Sequence, residues 1–181
     1  METTILVTAE ELAAMGRDAF QFELVRGRMV RMNPPNPDHG EVSLTIGSAV
    51  RAHVRRHRLG RVFVESGFTL ELNPDTVRGP DVSFVRSDHP SIGSRTGFMR
   101  GAPTLAVEVK SPDDTRSALA AKAAEYLAAG TELVWIVNPE TETVTVLAPS
   151  QPPQDLHMGE TLDGGTTLPG FSLPLSEVFD H

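Results

Sequence analysis

The sequence predicts a mixed α/β (α+β) domain with one central mixed β-sheet flanked by helices. Apolar residues recur at helical spacing in some segments and alternate as in strands in others. Along the chain the order is helix, hairpin, helix, several strands, helix and strands. The chain has 181 residues, 39% of them apolar, and shows no internal repeat and no linker. We therefore expect a single domain over residues 1–181.

The N-terminal third contains two predicted helices and a hairpin. The segment TAEE has the residues of a capping box, which predicts a short helix over residues 8–15. The segment FELVRGRMVRM (22–32) predicts two strands that turn at its central Arg-Gly pair. After the proline-rich loop PPNPDHG, apolar residues at helical spacing predict a helix over 38–59 that ends before Gly60.

The remaining elements are mainly strands. A helix is predicted from a cap among residues 113–115 to Ala129, and Gly130 ends it. The tail, 150–181, is punctuated by Pro and Gly and contains one apolar stretch, LPGFSLPLSEVF. The predicted strands lie within 61–72, 80–85, 104–110, 132–139 and 143–149, and a polar loop covers 86–101.

Composition limits the location and the partners of the chain. There is no cysteine, which excludes a disulfide scaffold and a thiolate metal site. No apolar run approaches the roughly 20 residues that cross a bilayer, and METTILVTAEELAAMG lacks the features of a secretory signal. We therefore expect a cytoplasmic protein with no membrane contact. The net charge of -8 argues against simple electrostatic binding of nucleic acid.

One segment departs from this acidic balance. Residues 51–61, RAHVRRHRLGR, contain five arginines, two histidines and no acid. Two histidines four residues apart could bind one zinc, but no third ligand is indicated, so a basic helix face is favoured. Such a face could contact phosphates. The candidate nucleic-acid contacts are Arg51, Arg55, Arg56 and Arg58, and His39, which precedes this segment, is a further candidate.

The strand in APTLAVEVKSPDD has an acid and a base on one face. Glu108 and Lys110 alternate with apolar residues, so both side chains would point to the same side. The residues alone favour a weak ion pair on a half-exposed strand. Asp81, however, begins the strand PDVSFV, and sequential strands are often neighbours in a sheet. Asp81 and Glu108 would then repel each other unless a cation lay between them.

Magnesium is the natural cation for such a pair, because it prefers oxygen ligands and commonly takes one or two carboxylates. Lys110 beside it could orient water or stabilise charge on a phosphate. An acid at the start of one strand, with Glu-x-Lys on another strand, is the arrangement used for metal-dependent hydrolysis of phosphodiesters. Asp81 taken alone would be a turn acid after Gly79-Pro80, which is a common role, and only its pairing with Glu108 favours a site.

The same residues carry a family resemblance. Pro80-Asp81 with Glu108-Val109-Lys110 resembles the PD-(D/E)XK signature of the restriction-endonuclease-like nucleases. Further stretches are similar, in order, to the Uma-two family of endonucleases. They are TAEELAAM, FELVRGRMVRMNPPNPDHG, GPDVSFV, GAPTLAVEVKSPDD, KAAEYLAAGTELVWIVNP and LPGFSLPLSEVF.

The resemblance implies a restriction-endonuclease-like fold and assigns roles to single residues. Asp81 and Glu108 would bind Mg²⁺ or Mn²⁺, together with the backbone carbonyl of Val109. Lys110 would be the catalytic lysine. The resemblance also adds Glu23 as a further acid of the site, although from the residues alone Glu23 would face solvent on the hairpin.

His39 and Lys122 also match family positions. His39 stands where the family often has a histidine after its proline-rich loop. Many members have an apolar residue in place of Lys110 and keep a lysine in the next helix, which Lys122 matches. Lys122 shares a helix face with Leu119, Ala123 and Tyr126, and its ammonium could reach either solvent or the site. Either lysine could be the working one.

The predicted function is that of a metal-dependent DNA endonuclease. A homodimer is expected by analogy, since cutting both strands takes two sites. Two alternatives remain open. One is a catalytically silent module that keeps the fold for binding or regulation. The other is a hydrolase of a small phosphodiester.

Overall fold

The computed structural model describes residues 6–32, 34–90 and 96–180. The described residues form the α-helices α1 (Ala9–Ala14), α2 (Pro37–His57), α3 (Arg116–Ala128) and α4 (Leu175–Val178), and a 3₁₀ helix covers Gly16–Gln21. The first seven strands are β1 (Phe22–Val25), β2 (Arg28–Arg31), β3 (Gly60–Val64), β4 (Phe68–Glu71), β5 (Thr76–Arg78), β6 (Val82–Arg86) and β7 (Met99–Arg100). The other six are β8 (Leu105–Val109), β9 (Leu133–Asn138), β10 (Thr143–Leu147), β11 (Gln154–Leu156), β12 (Thr161–Gly164) and β13 (Leu168–Pro174).

The strands form three sheets. The largest has six strands in the order β11-β10-β9-β8-β6-β3, and only β8 and β9 are parallel within it. The second has five strands in the order β2-β1-β5-β4-β7, and β12 pairs with β13 in the third. The predicted α/β class with mixed sheets is therefore confirmed. The strands are divided over three sheets, whereas the sequence predicted one, because the hairpin β1–β2 pairs with β5 instead of joining β6 and β8.

One face of the six-stranded sheet is covered by an apolar core. The apolar side of α2, formed by Val42, Ile46, Val50 and Val54, packs there against Val107 and Trp135 of the central strands. The C-terminal hairpin and α4 complete this layer with residues such as Phe171 and Leu175. The tail, which showed only one apolar stretch in the sequence, is therefore part of the main core.

The opposite face of the six-stranded sheet contacts α3 and the second sheet. Ala123 and Tyr126 of α3 pack on Ala106 and Val134, and Leu70 of β4 joins this cluster. The even-numbered positions of β8 face this side, so Glu108 points between α3 and the second sheet. The candidate site lies in that space.

Local signals in the sequence gave the helix boundaries closely. The capping box of Thr8 and Glu11 is present at the start of α1. Asn36 caps α2, which begins one residue before the predicted range, and Thr115 caps α3. The predicted loop 86–101 contains the short strand β7, and its residues 91–95 lie outside the described residues. Among the described residues, no helix is long and apolar enough to span a membrane.

Candidate functional site

Asp81 and Glu108 are neighbours across two strands. In the antiparallel pair of β6 and β8, Val82 stands opposite Val107, and the next step of this register places Asp81 opposite Glu108. Oδ2 of Asp81 accepts a hydrogen bond of 2.6 Å from the backbone N–H of Val109. Both side chains are buried, with residue exposures of 8% for Asp81 and 4% for Glu108. Two carboxylates therefore share one buried end of the sheet.

Helix α3 supplies a donor to each oxygen of Glu108. The ammonium of Lys122 lies 2.7 Å from Oε2, and the hydroxyl of Tyr126 donates to Oε1 at 2.7 Å. Lys122 and Tyr126 are four residues apart, so they lie one above the other on the same helix face. The alternation of β8 turns Glu108 toward that face.

Glu23 reaches the same place from the second sheet. Leu24 stands opposite Val77 in the pair of β1 and β5, which places Glu23 across from Arg78. Oε2 of Glu23 lies 2.7 Å from Nη1 of Arg78, and Oε1 lies 2.9 Å from Nζ of Lys122. The N–H of Gly79 donates to Oε1 as well, at 2.9 Å. The Lys122 ammonium therefore connects a carboxylate of each sheet.

Helix α2 and the segment after β3 complete the surroundings of Asp81. Nε2 of His39, in the first turn of α2, lies 3.2 Å from Oδ1 of Asp81. Glu65, an exposed residue at the rim, donates its backbone N–H to the carbonyl of Asp81 at 3.3 Å. Its φ of 49° is a left-handed conformation that a glutamate rarely adopts. Asp81 is therefore held from two sides.

The electrostatics of the site reflect an excess of buried negative charge. Burial, followed by the charges of Asp81 and Glu23, raises the pKa of Glu108 to about 8, although Lys122 acts in the opposite direction. Burial would also raise the pKa of Glu23, but the charges of Lys122 and Arg78 lower it below its usual value. The Glu108 and Glu23 carboxylates raise the pKa of Lys122 against the effect of burial, so its ammonium stays charged.

The titratable groups around Asp81 respond to the same excess. Burial lowers the pKa of His39, but the hydrogen bond and the charge of Asp81 outweigh it, so the pKa is raised. Partial desolvation of the Glu65 carboxylate by the surrounding protein, followed by the charge of Asp81, raises the pKa of Glu65. Each shift disfavours further negative charge or favours positive charge at this place.

The residues of the site fit a hard divalent cation. Asp81, Glu108, Glu23 and Glu125 are four carboxylates, and the only permanent cations among their ion-pair partners in the described residues are Arg78 and Lys122. When all four carboxylates are ionised, two of their negative charges are left over by these cations, and a divalent cation would balance them. Among the described residues, no three His, Cys, Asp or Glu side chains are grouped closely enough to form a cage for a metal. Two carboxylates with water in the other positions are the ligand set that Mg²⁺ commonly takes.

The comparison with known families agrees with this geometry. The model of the Uma2 family, described as "Putative restriction endonuclease", matches residues 9–176, which is most of the chain. The chain belongs to the Uma2 family. The resemblance seen in the sequence is thereby confirmed.

A solved structure shows the same fold for this Uma2 chain. It is described as that of a "putative nuclease belonging to DUF820" from Anabaena variabilis ATCC 29413. The match has a TM-score of 0.82 at 22% sequence identity and covers 96% of this chain and 98% of the other. At that identity the likeness concerns the fold. A search of curated proteins found no match.

Most of the predicted site residues of this Uma2 protein meet in one place, and Lys110 does not. Asp81, Glu108, Glu23, Lys122 and His39 are joined by the contacts described above. Lys110 follows the last residue of β8, and its ammonium lies 3.3 Å from Oε2 of the exposed Glu140. The predicted convergence of Lys110 with Asp81 and Glu108 is not seen. The strand ends at Val109, so the alternation that turns Glu108 inward stops before Lys110.

The basic segment lies at the far end of α2 from the site. Arg51, Arg55, Arg56 and Arg58 are all exposed, and Arg51 and Arg55 line a shallow groove with Ser48 and Ala52. His39 is in the first turn of the same helix. At about 1.5 Å per residue, these arginines lie roughly 20–30 Å from His39 along the helix axis.

Four residues of the site were not expected from the sequence, namely Glu65, Arg78, Glu125 and Tyr126. Arg78 binds Glu23 and also Glu125, with 2.7 Å between its Nε and Oε2 of Glu125. The sequence puts Tyr126 on the helix face of Lys122 but gives it no role, and nothing in the sequence points to Glu65. Arg78 could have been noticed, because it is the single charged residue of the short strand β5, all of whose residues are buried.

Proposed function

We propose that this Uma2 protein is a metal-dependent DNA endonuclease that hydrolyses phosphodiester bonds in the space around Asp81 and Glu108. The observation that carries the proposal is the contact of 2.7 Å between Lys122 and Glu108, made at the buried strand end where Asp81 stands opposite Glu108. Two carboxylates with a lysine at their side have the chemistry that the family description names. A buried cluster with excess negative charge has a large desolvation cost, which a purely structural site would have no need of.

The proposed cation site consists of the carboxylates of Asp81 and Glu108 and the carbonyl of Val109. Mg²⁺ is the expected cation, and Mn²⁺ can replace it. When bound, the cation would polarise the phosphate and lower the pKa of a coordinated water. His39 holds Oδ1 of Asp81 and the Val109 N–H holds Oδ2, so the carboxylate is fixed in orientation.

Lys122 is proposed as the catalytic lysine, in place of the Lys110 that the signature spacing indicates. Its ammonium is charged, 11% exposed at the side chain, and fixed between Glu108 and Glu23. From there it can orient a water and offset charge that develops on a phosphate oxygen. Glu23 holds the lysine in place, and Arg78 holds Glu23. Lys110 is paired with the exposed carboxylate of Glu140 and is given no catalytic role.

The substrate and the assembly are also part of the proposal. The exposed arginines at the end of α2 (Arg51, Arg55, Arg56 and Arg58) would contact the phosphate backbone of DNA beyond the scissile bond. Cleavage of both strands takes two sites, so we expect two copies of the chain to act together. The lack of cysteine is consistent with a cytoplasmic location.

The test uses wild type and Asp81→Asn, with Asp155→Asn as the matched control. The amide oxygen of the introduced asparagine can still accept from Val109, so the fold should persist while the charge is lost. Asp155 is exposed, and its described bond joins it only to Thr145. Mg²⁺ and Mn²⁺ binding is measured by calorimetry with and without DNA, and plasmid nicking is followed in the same samples.

We expect the wild type and the control to bind metal and nick plasmid, and Asp81→Asn to lose both. Metal binding without nicking would overturn the proposal that the protein is a DNA endonuclease. A small chromogenic phosphodiester in the same samples then decides whether a small-phosphodiester hydrolase takes its place. No metal binding by the wild type, even with DNA, would point to the catalytically silent module.

A further inference from the structure

Tyr126 makes a contact that packing alone does not explain. Its ring is fully buried among Ala106, Ala123 and Val134, and its hydroxyl lies 2.7 Å from Oε1 of Glu108. A buried tyrosine hydroxyl usually finds a partner, and most such partners are backbone carbonyls or waters. Here the partner is one of the two carboxylates of the candidate site. Tyr126 is also the only tyrosine of the chain.

The two donors on Glu108 define the orientation of its carboxylate. Lys122 holds Oε2 from the side of the second sheet, where it also contacts Glu23. Tyr126 holds Oε1 from the next turn of α3. A buried carboxylate with one donor on each oxygen cannot rotate about its terminal bond without breaking a hydrogen bond. The remaining lone pairs are those left to a cation.

We propose that Tyr126 is a positioning residue, whose hydroxyl fixes the Glu108 carboxylate in the orientation that binds the divalent cation. The proposal rests on the proposed function, because it requires a cation at Glu108. Tyr126 would act through Glu108, with which its hydroxyl is hydrogen-bonded, and would not itself hold the cation or the substrate. Removal of a hydrogen-bond partner from a metal ligand typically lowers metal affinity or activity by about 10- to 100-fold.

The single tyrosine also provides a direct spectroscopic readout. Protein labelled with ¹³C at the tyrosine Cζ gives one resonance, because the chain has one tyrosine. If Glu108 binds Mg²⁺, the charge on its oxygens changes, and the hydrogen bond that Oε1 accepts from Tyr126 changes with it. The Cζ resonance should therefore shift on Mg²⁺ binding, and it should not shift in Glu108→Gln at the same Mg²⁺ concentration.

The variant test compares Tyr126→Phe with Trp135→Phe. Both changes remove a polar group from a fully buried aromatic side chain, but Trp135 faces the opposite side of the sheet, against Phe171, and its Nε1 has no hydrogen-bond partner among the described residues. Mn²⁺ affinity is measured by calorimetry, and plasmid nicking is measured as a function of Mn²⁺ concentration. Circular dichroism and thermal unfolding show whether each variant is folded.

We expect Tyr126→Phe to bind Mn²⁺ about 10- to 100-fold more weakly than wild type. Its nicking should recover in part at high Mn²⁺, while Trp135→Phe should bind as wild type does. Equal Mn²⁺ affinity of Tyr126→Phe and wild type would overturn the proposal. If Tyr126→Phe does not fold, the wild-type resonance decides, and a Cζ shift that is unchanged at Mg²⁺ saturation would overturn it.

The outcomes separate this proposal from the proposed function. A wild type that binds metal but leaves plasmid intact overturns only the endonuclease, and the affinity ratio still tests Tyr126. A wild type that binds no metal with or without DNA overturns both. Normal binding and nicking by the wild type, with an unaffected Tyr126→Phe, overturns the positioning role alone.

Discussion

Nζ of Lys122 lies 2.7 Å from Oε2 of Glu108, fourteen residues away on a different element. The same ammonium lies 2.9 Å from Oε1 of Glu23, which belongs to the second sheet. Lys122 therefore connects α3, the six-stranded sheet and the five-stranded sheet through one charged group. Lys110, two residues from Glu108, makes no such contact with it among the described interactions.

The first prediction concerns which of the two lysines is catalytic. Lys122→Gln should reduce the rate of plasmid nicking by at least about 100-fold, because it removes the charge that would stabilise the transition state. The amide of the introduced glutamine can still donate to Glu108, so the site should keep part of its structure. Lys110→Gln is the matched variant and should nick within about 2-fold of wild type, since its partner is the exposed Glu140. An equal loss in both variants would contradict the assignment.

The second prediction concerns the stability of the metal-free protein as a function of pH. Glu108 has a folded-state pKa of about 8, against an ordinary value of 4.5, so between these values the folded state holds a proton that the unfolded state has released. The free energy of unfolding should therefore fall as pH rises from about 4.5 to about 8. Urea unfolding of wild type and Glu108→Gln at several pH values measures this, and the fall should be smaller in Glu108→Gln.

Mg²⁺ provides the complementary measurement. A metal ligand must be deprotonated, so Mg²⁺ should stabilise the wild type more at pH 8 than at pH 6. In Glu108→Gln the Mg²⁺ effect should be small at both values. A Mg²⁺ effect that is the same at pH 6 and pH 8 would show that Glu108 is already ionised at the lower value.

The third prediction concerns the buried arginine. Arg78→Met should destabilise the protein by about 3–5 kcal/mol, because it leaves the buried Glu23 carboxylate without its closest cation. Arg100→Met is the control, since Arg100 lies 3.9 Å from Glu10 with both side chains at least 80% exposed. It should change the free energy of unfolding by less than about 1 kcal/mol. Both are measured by urea unfolding at neutral pH.

The double variant Arg78→Met/Glu23→Gln sharpens that test. It removes the unpaired carboxylate together with the arginine, so part of the lost stability should return. If the double variant is no more stable than Arg78→Met, the loss comes from packing or from Glu125 and not from the Glu23 charge.

The fourth prediction concerns the basic end of α2. Arg51→Gln and Arg55→Gln should each weaken DNA binding and reduce the slope of log affinity against log salt by about 1. Arg28→Gln removes an exposed charge from β2, the edge strand of the five-stranded sheet, and should leave the slope unchanged. Binding is measured by fluorescence anisotropy with catalytically silenced Asp81→Asn protein. A slope that falls equally for Arg28→Gln would indicate a nonspecific effect of net charge.

Local sequence signals by themselves determined most of the helices and strands and the two acids of the motif. The capping residue Thr8, the glycine after α3 and the alternation in β8 act over a few residues, so helices and strands follow from them. The motif residues Asp81 and Glu108 come from neighbouring strands whose register brings them together. The family resemblance added Glu23, His39 and Lys122, which no local pattern would have joined.

Tertiary structure alone decided which of these residues contact one another. Whether Lys110 or Lys122 faces Glu108 depends on where β8 ends and on how α3 packs against it, and spacing along the chain contains neither. Glu23 and Lys122 could each have pointed to solvent. Glu23 is buried and the Lys122 side chain is only 11% exposed, because α3 and the five-stranded sheet pack together there. The contacts of Arg78 and Tyr126 follow from the same packing, because a buried carboxylate must take its partners from whichever elements surround it.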